Sequence, residues 1–275
     1  MLEIPEAAVL AKQINETITG KKIKTVIAAA SPHKFAWFFG DPQEYPSMLT
    51  GRTINHAQSI GGMVEISIES TSLVFSDGVN LRFFDKTGSH TPKHQLLLEF
   101  EDSSVLSASV QMYGGLNCFV DGQFDNIYYL VAKEKPSPLS QEFDETYFNQ
   151  LISAPEVQKL TAKAFLATEQ RIPGLGNGVL QDLLWNAKIH PKRKVNTLAD
   201  AEINAIFKAV KSVIAEMTRY GGRDTEKDLF GKDGGYQTVM SKNNTGLPCP
   251  SCSDMIKKES YLGGSIYYCS NCQKM

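Results

Sequence analysis

Four cysteines near the C-terminus constrain this chain more than any other feature. Cys249-Pro-Ser-Cys252 is followed, after sixteen residues, by Cys269-Ser-Asn-Cys272. Two Cys-x-x-Cys pairs at this separation predict a zinc ribbon, in which each pair sits on a tight turn at one end of a β-hairpin. So short a hairpin has almost no apolar core, so the metal supplies its folding energy. With four thiolates and no position left for water, one zinc ion would be structural. The alternative reading is two disulfides or four unrelated cysteines.

The rest of the 275 residues leave room for two domains before the ribbon. Hydrophobic content of 42% and charged content of 21% are those of an ordinary globular chain. No apolar run is long enough to span a bilayer, and the opening Met1-Leu-Glu-Ile-Pro-Glu6 does not read as a signal peptide. Only Cys118 lies outside the ribbon. Zinc thiolates and one spare thiol fit a reducing cytoplasm, which is the expected location.

Charge is divided unevenly. Residues 1–154 carry 11 Lys/Arg against 18 Asp/Glu, a balance of −7, and residues 155–275 carry 17 against 12, a balance of +5. The formal net charge of −2 therefore hides a basic C-terminal half, which is where contacts to nucleic acid are expected. Chance asymmetry of a solvated surface is the bland alternative.

Residues 5–18 read as a helix, with Pro5 in the first turn and Gly20 as a stop. From Lys24 to about Val120 the period changes to two. Met63-Val-Glu-Ile-Ser-Ile-Glu alternates, and short β-type runs follow at 72–75, 81–84, 95–100 and 105–110. This predicts a β-sandwich or barrel with the first helix packed on it. Lys133-Glu-Lys-Pro-Ser-Pro-Leu-Ser140 reads as a linker. Beyond it the pattern is helical to Tyr220, most clearly over 198–217, with Thr197-Leu-Ala-Asp200 as a capping-box variant and Gly221-Gly222 as the stop. The expected organisation is α+β and multidomain: a β-sandwich over 1–132, a linker over 133–140, a helical domain over 141–222, a loop over 223–245 and the ribbon over 246–275.

Between two helical stretches lies Arg171-Ile-Pro-Gly-Leu-Gly-Asn-Gly-Val-Leu-Gln-Asp182. Glycines at 174, 176 and 178 beside a helix start expose backbone N–H groups, a natural phosphate cradle, although a plain helix–helix turn would look the same. Pro173-Gly-Leu-Gly-Asn-Gly178, then Leu184-Trp-Asn-Ala-Lys-Ile-His-Pro191, then the four-cysteine ribbon together resemble the formamidopyrimidine-DNA glycosylase/endonuclease VIII family. The opening Met1-Leu-Glu-Ile-Pro-Glu6 is similar to that family's Met-Pro-Glu-Leu-Pro-Glu start.

The resemblance implies a base-excision-repair DNA glycosylase and abasic-site lyase with a helix–two-turn–helix clamp on double-stranded DNA. The damaged nucleotide would be flipped from the stack, and an N-terminal proline amine would attack its sugar carbon. Glu3 would handle protons on the sugar, with Glu6 beside it. Gly174, Leu175, Gly176 and Asn177 would grip phosphates, Lys163 is a further phosphate candidate, and Tyr113 is a wedge into the stack. Glu3 and Glu6 have a second reading as first-turn acids that stabilise a helix N-terminus. His94 and His190 are assigned no role.

The chain departs from the family pattern at several of these positions. Leu2 stands where proline would be. Initiator methionine is normally removed only ahead of small residues, so Leu2 predicts that Met1 stays and the free amine is displaced by about 3.8 Å. A shift of about 1 Å can already cost on the order of a hundredfold in rate. Met63 and Gly264 replace a phosphate-binding lysine and arginine, and Met112-Tyr113-Gly114 replaces Arg-Phe-Gly.

Three functional readings follow. The first is a damaged-DNA-binding protein with impaired or lost chemistry. The second is an active glycosylase that uses the Met1 amine or a Glu3-activated water. The third is a zinc-ribbon module for RNA or a protein. A monomer is expected, and the lesion-reading loop is expected around 221–240.

Overall fold

The computed structural model describes residues 1–86 and 93–275. The first helix, α1 (Ile4–Thr17), has Pro5 in its first turn and buries Ala7, Leu10, Ala11 and Ile14 along one face. That spacing of three and four is what a one-sided helix needs. The face lies on a pair of β-sheets whose strands, in chain order, are β1 (Ile23–Ala28), β2 (Ala36–Trp37), β3 (Ile54–Ile60), β4 (Met63–Ile68), β5 (Thr71–Phe75), β6 (Val79–Phe84), β7 (Leu96–Phe100), β8 (Val105–Val110) and β9 (Gly114–Val120). A short helix, α2 (Tyr45–Leu49), falls between β2 and β3.

One sheet has the order β1-β7-β8-β6 and the other β2-β9-β5-β4-β3. All pairings are antiparallel except β2 with β9, where Trp37 lies opposite Gly115. Leu81, Leu98, Phe100, Val64, Ile66 and Leu73 meet between the sheets, and α1 closes the same core. The short β-runs expected from the sequence thus lie in a two-sheet arrangement.

After β9 the chain turns helical: α3 (Ile127–Glu134), α4 (Glu145–Ser153), α5 (Ala162–Ala167), α6 (Val179–Asn186) and α7 (Asp200–Arg219). The core shared by α4–α7 contains Phe148, Phe165, Leu180, Leu183, Val210 and Ile214, whereas Tyr129 and Ala132 of α3 pack with Ile60, Val74, Phe119 and Phe124 of the sheet half. Ile4, from the start of α1, is buried in the α4–α7 core. Ile4 thus helps tie the N-terminus to the helical half.

Two local expectations are corrected. Lys133 and Glu134 are the last turn of α3, which starts because Asn126 accepts the N–H groups of Tyr128 and Tyr129. The long helix starts at Asp200, and its N-cap is Ala199, whose N–H is held by Glu202 at 2.9 Å. Thr197 bonds back to the Lys194 carbonyl.

Residues 223–245 contain no helix or strand longer than one 3₁₀ turn, yet they are packed down. Leu229 is buried in the sheet core, its N–H donates to Gln13 and its carbonyl accepts the Phe83 N–H. The chain closes with a hairpin of β10 (Ile256–Tyr261) and β11 (Gly264–Cys269).

Candidate functional site

The sheet half, the helical half and the ribbon meet at the residues the sequence singled out. Gly174 sits at φ +79°, where an added Cβ would lie 1.9 Å from the Gly62 nitrogen. No other residue fits there. The close approach seats the turn before α6 on the β3–β4 turn, and the Gly174 carbonyl accepts the Ile4 N–H at 3.0 Å. The N-terminus is thus held against the start of α6.

Glu3 occupies that helix start. Its carboxylate accepts N–H groups from Gly176 (3.1 Å), Gly178 (2.8 Å) and Val179 (2.8 Å), with Arg223 Nη1 at 3.4 Å as a fourth donor. This corrects the expected cradle. The amides of Gly176 and Gly178, taken from sequence as phosphate donors, hold an internal carboxylate. The physical reason is that a helix N-terminus favours a negative charge whatever its source. An added Cβ at Gly178 would lie 1.6 Å from Arg223 Nη1, so a side chain there would have to displace the buried guanidinium.

Arg223 is 2% exposed and spans both N-terminal acids. It holds Glu6 through Nε (2.9 Å) and Nη2 (2.8 Å), and its backbone N–H adds a third bond to Glu6. Burial alone would lower its pKa. The adjacent Glu3 and Glu6 outweigh that and keep it firmly protonated. Neither acid is a simple first-turn charge, because both are buried and paired.

The backbone N–H of Leu2 and the amine of Met1 have different partners, while the Met1 carbonyl accepts Arg223 Nη2 at 3.4 Å. The Leu2 N–H donates to the Asp77 carbonyl at 2.6 Å. The Met1 amine pairs with Glu226 at 2.5 Å. Leu2 and Gly174 line a cleft of about 570 Å³ that also contains Met63 and Tyr113. Met1 and Glu3 line a separate cavity of about 270 Å³, with Asn177, Gln181, Arg223 and Glu226.

Lys163 and Asn177 face the ribbon. Lys163 is 5% exposed, and its ammonium donates to the Tyr261 carbonyl at 2.6 Å. Burial lowers its pKa. Asn177 Nδ2 donates to the Ser265 carbonyl at 3.0 Å. Between the two lies Gly264, where a side chain would start 3.5 Å from Lys163 Nζ and 3.6 Å from the Asn177 amide. Leu175 is buried in the helical core and exposes no side chain to a ligand. His94 is buried, and His190 packs edge-on against Tyr268 with its pKa lowered by burial.

The four ribbon cysteines converge, with all sulfur atoms within 4.8 Å of one another. Cys249 and Cys272 are 3.9 Å apart, and Cys252 and Cys269 3.3 Å. Four sulfurs about 2.3 Å from a tetrahedral zinc would be about 3.8 Å apart, so the donor set fits one such ion. Gln181 on α6 anchors this unit by accepting the Tyr267 N–H at 3.0 Å, and Gln273 reaches back to the Ile189 carbonyl at 3.0 Å.

Sequence reasoning missed Arg223, Asp77 and Asp182. Asp182 is 1% exposed and accepts the N–H groups of Val239 and Met240, which fixes the lead-in to the ribbon. No spacing or motif marks any of the three, because each acts on residues far away in sequence.

The comparisons agree with this architecture. The formamidopyrimidine-DNA glycosylase H2TH domain matches residues 135–228. The formamidopyrimidine-DNA glycosylase of Listeria innocua is 28% identical over 285 residues, covering the whole of both chains. The chain is thus similar over its whole length to formamidopyrimidine-DNA glycosylases and carries a match to their H2TH domain. The Streptococcus pneumoniae protein of the same name is 27% identical over 280 residues, covering 100% of this chain and 99% of its own.

The fold resembles those of solved formamidopyrimidine-DNA glycosylases from end to end. The Lactococcus lactis enzyme, solved in complex with DNA containing an abasic site, superposes with a TM-score of 0.84 at 24% identity, covering 99% of this chain and 100% of its own. The Thermus thermophilus enzyme gives 0.80 at 22%, with 98% of each chain covered. Among the described residues no helix is long and apolar enough to cross a membrane.

Proposed function

We propose that this chain is a DNA-binding protein of the base-excision-repair glycosylase type that recognises damaged or abasic duplex DNA while its N-terminal amine chemistry is blocked. The observation that carries the second half is at Leu2. Its nitrogen is a peptide amide, with its lone pair delocalised into the carbonyl of Met1 and its N–H given to Asp77. Such a nitrogen is no nucleophile. The α-amine of Met1 is ion-paired with Glu226.

Glu3 adds to the case. Its two oxygens already receive four donors, which fills a carboxylate's acceptor sites and leaves none for a water's proton. The DNA half rests on the family, on the +5 balance of residues 155–275, and on relatives solved with abasic-site and oxidised-pyrimidine DNA. One zinc ion held by Cys249, Cys252, Cys269 and Cys272 keeps the ribbon folded beside Lys163 and Asn177. A monomer in the cytoplasm completes the reading.

One observation favours the alternative of an active glycosylase: Met1 and Glu3 line the same 270 Å³ cavity. A ligand that displaced Glu226 from the amine would bring the two together.

Binding tests the reading directly. The chain should hold an abasic-site duplex more tightly than the intact duplex and lose affinity steeply as salt rises. Equal, salt-insensitive affinity for both would contradict it and favour a zinc-ribbon module for RNA or protein.

A further inference from the structure

The segment Leu184-Trp-Asn-Ala-Lys-Ile-His-Pro191, at the end of α6, meets the ribbon residue after residue. Lys188 Nζ lies 3.4 Å from the hydroxyl of Ser251, in the turn between the first two cysteines. The Ile189 carbonyl accepts Gln273 Nε2 at 3.0 Å, and His190 lies edge-on to Tyr268. These contacts seat the hairpin on the helix end in one orientation.

Trp185 opens the same segment and goes deeper. Its indole packs on the small core formed by Met240, Cys249, Ile256 and Cys269. The Nε1 atom is buried and has no hydrogen-bond partner of normal length among the described residues. An indole nitrogen can only donate, so a buried one without an acceptor is destabilising. Its influence falls on Cys249, which is 1% exposed. Burial alone would raise the Cys249 thiol, but the Ser251 N–H and the Trp185 indole help to lower it instead. Lys188 covers the indole, its ammonium 4.6 Å from the ring centroid. A cation on the ring face draws electron density from it and makes the N–H a stronger donor.

We propose that the Trp185 indole N–H is the donor that orients the Cys249 sulfur and holds it as a thiolate for the metal. The inference rests on the metal-site reading above and deepens it. It makes a residue of the helical half a positioning residue for the ribbon's metal, so that metal affinity depends on the ribbon being docked on α6. Polar partners behind metal ligands commonly govern affinity by about 10–100-fold.

The test is NMR of the full chain carrying isotopically labelled tryptophan and an NMR-active cadmium isotope, beside a competition for Zn²⁺ against a chromophoric chelator. The chain has two tryptophans, and Trp37 is 50% exposed, so exchange with water tells the two indole signals apart. The Trp185 Hε1 signal should be split by coupling to cadmium, which passes through an N–H···S–Cd contact and not through packing alone. Trp185→Phe, which keeps a ring and loses the donor, should lower zinc affinity by roughly tenfold or more. Trp37→Phe should leave that affinity unchanged. An uncoupled Trp185 signal in the cadmium-loaded chain would overturn the proposal while leaving the four-cysteine site intact. So would a Trp185→Phe chain that holds zinc as tightly as the parent. A parent chain that takes up neither metal would sink the metal-site reading itself.

Discussion

Arg223 grips Glu6 as a fork, Nε to Oε1 at 2.9 Å and Nη2 to Oε2 at 2.8 Å, across 217 residues of sequence. The same guanidinium reaches Glu3, so one buried cation is shared by two buried carboxylates from the other end of the chain. Planar bidentate geometry makes this a task for arginine, since a lysine ammonium cannot form the fork.

Arg223→Ala should therefore strand two buried acids. Breaking a buried pair by removing one partner costs roughly 3–5 kcal/mol. The denaturant midpoint should fall by a corresponding amount, and Arg223→Lys should fall in between. A midpoint within experimental error of the parent for Arg223→Ala would mean that the N-terminus is not held in this way.

Gly178 offers an independent check on the same cluster. A methyl group there collides with Arg223 Nη1 and approaches Glu3 Oε1 to 2.8 Å. Gly178→Ala should displace the guanidinium, destabilise the protein, and weaken DNA binding along with stability. If Gly178→Ala matched the parent in both measurements, the described packing of Glu3 on α6 would be wrong.

The ribbon and the α6 turn were legible in the sequence because their constraints are local. A metal demands cysteines at fixed spacing, and a helix start pressed on a second turn demands glycine. The alternation in β4 and the three-four spacing in α7 were legible for the same reason. Arg223 was not, because a lone arginine after Gly221-Gly222 carries no period and its partners lie at the opposite terminus. Nor was the occupant of the cradle. Exposed N–H groups at a helix start announce an anion without saying whether it is a phosphate or Glu3. Lys163 was expected at a phosphate, yet its ammonium is bonded to a hairpin carbonyl, a contact that only the docked ribbon creates.

Thiol chemistry separates the metal site from the remaining cysteine. Cys118 is buried, and burial pushes its thiol up to about 12, so little thiolate exists at neutral pH. Stripping the metal with a chelator should expose four fast-reacting thiols and leave Cys118 protected until the sandwich unfolds. It should also disorder β10 and β11. Five fast thiols, or a ribbon unchanged after complete metal removal, would contradict the assignment of Cys249, Cys252, Cys269 and Cys272.

Restoring an amine at position 2 should restore chemistry. Leu2→Pro permits removal of Met1 and places a secondary amine where the Leu2 amide now lies, beside Glu3. Its neutral fraction at working pH is substantial, since an α-amine titrates near about 7.7–8.0. This variant should form a reducible covalent adduct with abasic-site DNA at a rate far above the parent. If it binds the same DNA and forms none, then the displaced amine is not what limits the reaction.

The most direct measurement is borohydride trapping of the unaltered chain on a duplex carrying an abasic site, after intact-mass spectrometry has established that Met1 is present. The account predicts tight, salt-sensitive binding with no covalent adduct, because the Leu2 nitrogen is an amide and the Met1 amine is held by Glu226. A trapped adduct at the N-terminus would contradict it and show that the displaced amine still reaches the sugar.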